Sequence, residues 1–211
     1  MIHIMLLQQC FSTNSLYYEI GRRLVLQGGE LTVVTDNTRL GVSLNGKRIG
    51  LMQLDGMAVI VYNNKYNRED QRWKRFFRLL TYARWASKQG RNLPRPRLIL
   101  AAAPPFSSLI PGYFLSRHYR VPLVLEVEEP WIKELVALDR VSSSTLLSLA
   151  RRLEQKAYRQ ASRILTFSAQ TEEELQRYGV ASQRIARLQK TEDMDNLYQQ
   201  YIKCLGLSQK F

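Results

Sequence analysis

The chain has 211 residues, of which 45% are hydrophobic, and a formal net charge of +13, which suffices for the core of one large domain or two small ones; one α/β domain is the simpler reading. Cys10 and Cys204 are the only cysteines, and His3 and His118 the only histidines. That scarcity excludes a disulfide scaffold and a cysteine- or histidine-rich metal centre, so the sequence points to a reducing compartment with no metal and no cofactor.

Residues 2–7 read as a first strand and not as a signal peptide, because the run is short, lacks a basic flank and passes into Gln8 and Gln9. A helix over 14–27 closes on Gly28 and Gly29, and a second strand follows over 31–35, completing a βαβ unit. Residues 42–62 hold short apolar runs broken by Asn45, Gly46 and Gly56, with 57–62 the clearest strand. A long helix over 70–89 precedes Pro94 and Pro96, a strand over 98–102 and a helix over about 107–118. A strand then starts at Val121. Beyond a polar break at 142–144 come a helix to about 160, a strand over 164–167, a helix over 171–178 and a short strand over 185–188. This alternation predicts an α/β domain with a doubly wound, mainly parallel sheet of Rossmann-like type. No run nears the roughly 18 apolar residues of a membrane span.

The charge is unevenly spread. Residues 1–70 carry 7 basic and 6 acidic side chains, residues 126–211 carry 13 and 12, and residues 71–125 carry 11 and none. Such a basic middle suits anionic lipid head groups, nucleic acid phosphates or a polyphosphorylated substrate. Within it the 70–89 helix places Trp73, Phe76, Phe77 and Leu80 among Arg72, Lys74, Arg75, Arg78, Arg84 and Lys88. This pattern fits peripheral contact with an anionic membrane surface, and equally a helix packed on the sheet with its basic residues solvated. RNA contact would use the same residue types but has no recognised module here.

The strand from Val121 ends in Glu126, Glu128 and Glu129, followed by Pro130 and Trp131. Carboxylates at the carboxyl end of a parallel strand sit at the rim where open α/β sheets bind ligands. Ser107 and Ser168 fall at the same rim by the alternation, either donating to a sugar or phosphate or simply capping the next helix. G-x-G-x-x-G and Walker loops are absent.

Three segments together resemble the N-terminal domain of GT-B glycosyltransferases of family 4. They are residues 18–35 (YEIGRRLVLQGGELTVVT), 98–129 (LILAAAPPFSSLIPGYFLSRHYRVPLVLEVEE) and 153–179 (LEQKAYRQASRILTFSAQTEEELQRYG). Their order and spacing span roughly residues 1–188. The resemblance implies an acceptor-side domain over 1–190, followed by a helical tail over 191–211 whose Leu197, Tyr198, Tyr201, Ile202 and Leu205 recur at helical intervals. It implies transfer of a sugar from a nucleotide sugar to a lipid-linked or polysaccharide acceptor, in the cytoplasm at or near the inner face of the membrane. A second chain would supply the nucleotide-sugar site. Glu129 matches the family's cleft carboxylate and is the implied catalytic residue, with Ser107, Glu126, Glu128 and Ser168 as acceptor-binding groups. Arg72, Trp73, Arg75, Phe76 and Arg78 are the implied membrane contacts.

The departures favour an alternative. The loop after the first strand, residues 10–15 (CFSTNS), lacks the family's glycines, and Glu128 stands where the family has arginine. The chain stops at Phe211, where the family continues into the donor domain. A non-catalytic binding or scaffold protein derived from a truncated transferase is the second expectation.

Overall fold

The computed structural model describes residues 2–64, 72–102, 107–130 and 144–207, leaving out the side chains of 72–77, 144–147, 149 and 150. The strands are β1 (His3–Leu7), β2 (Glu30–Asp36), β3 (Ile49–Leu54), β4 (Met57–Tyr62), β5 (Leu98–Ala102), β6 (Leu123–Glu126), β7 (Arg163–Thr166) and β8 (Ile185–Arg187). They form one sheet in the order β3-β4-β2-β1-β5-β6-β7-β8, with every pairing parallel except β3–β4. The chain winds outward from β1 to β4 and then crosses back to place β5 on the other side of β1. The topological switch point therefore lies between β1 and β5.

Among the described residues six helices cover both faces: α1 (Leu16–Leu26), α2 (Arg72–Gly90), α3 (Leu109–Tyr119), α4 (Ser144–Gln160), α5 (Ala169–Arg177) and α6 (Met194–Cys204). Alternate residues of each central strand feed opposite layers, so the strands carry apolar side chains on both faces. Ile4, Leu6, Val33, Leu100 and Val124 pack under α1 and α6. Met5, Leu7, Val34, Ile99 and Leu125 pack under the helices of the other face. On that face Tyr82 and Ala86 of α2 are fully buried against the sheet, and the Tyr82 hydroxyl donates to the Val34 carbonyl at 2.7 Å.

Local chemistry sets the boundaries. Ser15 caps α1 by accepting from the Tyr18 amide at 3.3 Å. Arg120 ends α3 in the left-handed region at φ 54°. The edge strand β3 was not resolved among the apolar runs expected over 42–62. It exists because Asp55 and Gly56, at φ 45° and 80°, form the two-residue turn with positive φ that suits a β-hairpin.

Candidate functional site

The carboxyl edge of β6 and β7 carries a polar groove. β6 hands over to Val127, whose amide bonds the Leu165 carbonyl at 2.9 Å, and the chain then turns outward so that Glu128 and Glu129 are exposed. Across from them, β7 passes through Phe167 to Ser168, which caps α5 by accepting from the Thr171 amide at 3.3 Å. The Thr171 hydroxyl donates to the Glu128 carbonyl, tying the acidic loop to the first turn of α5. Lys190 reaches the same space from beyond β8, in a segment held by the Leu188 amide on the Thr166 carbonyl at 2.8 Å and the Gln189 amide on the Gln200 side chain at 2.9 Å. The groove encloses about 280 Å³ between Glu128, Glu129, Phe167, Ser168, Gln170, Thr171, Glu174 and Lys190.

Among the described residues that line it, three carboxylates stand against one ammonium, which makes this groove locally acidic. That balance disfavours a phosphate, even beside a helix N-terminus, and favours a neutral ligand rich in hydroxyl donors. Of the residues expected at the rim, the structure brings Glu128, Glu129 and Ser168 together.

Two others lie elsewhere. Glu126 points into the layer beneath α1 and α6 and is 4% exposed. The Tyr201 hydroxyl of α6 donates to its carboxylate, and the Tyr17 hydroxyl of α1 faces it without a well-formed hydrogen bond. Burial pushes Glu126 up to about 7, the two facing hydroxyls hold it down against that push, and Glu128 adds to the rise.

Ser107 is fully buried. Its hydroxyl donates to Gln9 Oε1, and the Gln9 amide bonds the Ser108 hydroxyl at 3.3 Å. Gln9 Nε2 in turn donates to Asp36 at 2.9 Å, which also accepts from Asn64 Nδ2 at 2.8 Å and from the Thr38 amide at 2.9 Å. Gln9 thus stitches together the switch point between β1 and β5, the usual ligand crevice of such sheets. Phe11, fully buried, fills the loop that has no glycine. Sequence reasoning missed this network, although a glutamine directly at the end of an apolar strand was its visible signal.

Arg72, Trp73, Arg75 and Phe76 have side chains outside the described residues, and Arg78 is half-buried on α2. Burial pushes the Cys10 thiol up to about 11, with Asp36 adding to the rise, which disfavours the thiolate. Among the described residues no cluster of His, Cys, Asp and Glu is suited to a metal, and no helix is long and apolar enough to cross a membrane.

A family model described as a glycosyl transferase 4-like domain matches residues 16–189. The chain belongs to that family. Solved structures agree in fold. Anabaena HepE in complex with UDP and glucose superposes with a TM-score of 0.53 at 16% identity, over 92% of this chain and 46% of that one. A sucrose-phosphate synthase chain from Thermosynechococcus elongatus gives 0.62 at 14% identity, over 95% and 96%. CalG4, the calicheamicin glycosyltransferase, gives 0.53 at 15% identity, over 90% and 53%. This glycosyl transferase 4-like chain therefore spans about half the length of HepE and of CalG4. Comparison with curated proteins gave no match. Its fold is the Rossmann-like one seen in GT-B enzymes, and the groove beside Glu129 lies at the carboxyl edge of that fold's sheet.

Proposed function

We propose that this chain is the acceptor-side half of a glycosyltransferase. It would receive a lipid-linked or polysaccharide acceptor, with the nucleotide-sugar site supplied by a partner chain or further domain, at the inner face of a membrane. The observation that carries the reading is the groove joining Glu128, Glu129 and Ser168 in a member of this family. Glu129 accepts the hydrogen bond of the acceptor hydroxyl and takes its proton as that oxygen attacks the donor's anomeric carbon. The bond from that carbon to the β-phosphate oxygen breaks, and the nucleoside diphosphate leaves into the facing donor half. Glu128 and the Ser168 and Thr171 turn orient the remaining hydroxyls. HepE, solved with UDP and glucose, supports nucleotide-sugar chemistry for the completed enzyme.

The test is sugar transfer to a lipid-linked acceptor by this chain assembled with a GT-B donor half, comparing wild type with Glu129→Gln. A positioned general base contributes roughly 10²- to 10⁴-fold. The variant is expected to lose at least a hundredfold in rate with an unchanged melting temperature, and full activity would remove Glu129 from the chemistry. A second reading, a binding protein without catalysis, is favoured by Gln9 tying the ends of β1 and β5 together at the switch point. Acceptor binding by every assembled form without any transfer is its expected outcome.

A further inference from the structure

On the face opposite α1 and α6, helices α2 and α3 approach closely at one end. A Cβ on Gly90 would lie 2.4 Å from Leu115 Cδ1, and the Tyr119 hydroxyl shares its one proton between the Gly90 and Leu93 carbonyls, 2.6 and 2.7 Å away. Beside this contact the outer surface opens into a groove of about 590 Å³. Leu80, Ala83, Ile110 and Phe114 make its apolar floor, and Phe114 is 42% exposed. Arg84, Lys88 and Arg91 rim it, all exposed and none in an ion pair among the described residues. Exposed Arg95, Arg97, Arg117 and Arg120 extend the field, in the segment without an acidic residue.

We propose that this groove seats an anionic phospholipid of the membrane surface, its acyl chain against Phe114 and Ile110 and its phosphate between Arg84, Lys88 and Arg91. Charge complementarity selects the occupant: an apolar floor ringed by cations that have no ion pair among the described residues matches an amphiphile with an anionic head. The volume is that of a small-molecule site, roughly 300–1,000 Å³, and the floor is a single seat. An amphipathic helix would need a row of anchors. The inference deepens the membrane-surface part of the proposed function. It is independent of transfer, because the groove and Glu129 lie on different parts of the fold.

Flotation of the full chain with vesicles of pure phosphatidylcholine, or of phosphatidylcholine with phosphatidylglycerol, tests it. Binding is expected only to the anionic vesicles. Each removed charge near the surface weakens binding about fivefold, so R84Q/K88Q/R91Q is expected to bind roughly a hundredfold more weakly. Phe114→Ser, which leaves the charge unchanged, is expected to bind at least tenfold more weakly. Dihexanoyl-phosphatidylglycerol below its micellar concentration should shift the methyl resonances of Leu80 and Ile110, a readout that also reports whether each variant is folded. Wild-type binding by Phe114→Ser would reduce the site to diffuse electrostatics and overturn the proposal. Unchanged methyl resonances, or binding of an acidic amphipathic peptide in preference to vesicles, would overturn it too. Glu129→Gln is expected to bind vesicles as wild type does, so loss of transfer and loss of lipid binding are separable.

Discussion

Glu126 shows how a residue's neighbours decide its role. Its position at the tip of an apolar strand suggests a rim carboxylate, but strand alternation turns it to the Val124 side, beneath Tyr17 and Tyr201. An ordinary carboxyl near 4.5 is raised here to about 7 by burial, so the folded state binds a proton more tightly than the unfolded chain. The sign follows: the contribution of Glu126 is fully favourable below about pH 4.5, declines as pH rises toward 7, and stays at its lower level above that. The gap amounts to on the order of 3 kcal/mol. Glu126→Gln, neutral at every pH and still able to accept from Tyr201, is expected to match wild type near pH 4 and exceed it by that order at pH 8 in urea unfolding. Parallel pH profiles for the two proteins would show that the carboxylate is not held in its neutral form. The rim position of Glu128 and Glu129 was legible from the end of the apolar run. The fate of Glu126 was not legible, because Tyr201 lies 75 residues away and nothing local announces that contact.

At the level of elements, β1, β2, β4 and β5 were legible because continuous apolar runs bounded by polar or glycine breaks have few alternatives. The edge strand β3 was not, since alternating exposure at Ile49–Leu54 weakens its pattern, although Asp55 and Gly56 carried the hairpin signal. Helix α3 shows a constraint that periodicity cannot express. Gly112 rests against the sheet, where an added Cβ would lie 2.9 Å from the Ala101 Cβ and 3.2 Å from Leu123 Cδ1. The Ala101 Cβ cannot move without its strand, so α3 itself must shift. Alanine gains about 1 kcal/mol of helix propensity over glycine, yet overpacking costs about 1–3 kcal/mol. Gly112→Ala is expected to lower stability by up to about 2 kcal/mol, read as a lower urea midpoint. A raised midpoint would mean that α3 rides further from β5 than the close approach implies.

The whole molecule segregates its charge. The acidic groove opens at the carboxyl edge of β6 and β7, the basic groove lies on the α2–α3 face, and α1 with α6 covers the opposite face. α6 is built into that cover. Asp193 caps it by accepting from the Asp195 and Asn196 amides at 2.9 and 3.2 Å, Asp195 pairs with Arg23 of α1, and the Tyr198 hydroxyl donates to Gln27 at 2.8 Å. The helix ends at Gly206, φ 68°, where the Leu207 amide returns to the Ile202 carbonyl at 3.0 Å and Leu207 is buried. Leu197, Tyr198, Tyr201 and Ile202 all lie within the same core layer as Phe11, Tyr17 and Leu24. A helix used only as a tether would not bury four consecutive-face side chains, so α6 is expected to be part of the cooperative fold. Tyr201→Ala removes a fully buried ring that stands edge-on to Tyr17 and leaves Glu126 without its donor; truncating a buried aromatic costs about 3–5 kcal/mol. Chemical denaturation should show that loss in a single transition, and deletion of residues 191–211 should leave a chain that binds hydrophobic dyes and associates. A truncated chain that stayed monomeric with wild-type stability would make α6 an appendage and leave the α1 face able to stand uncovered.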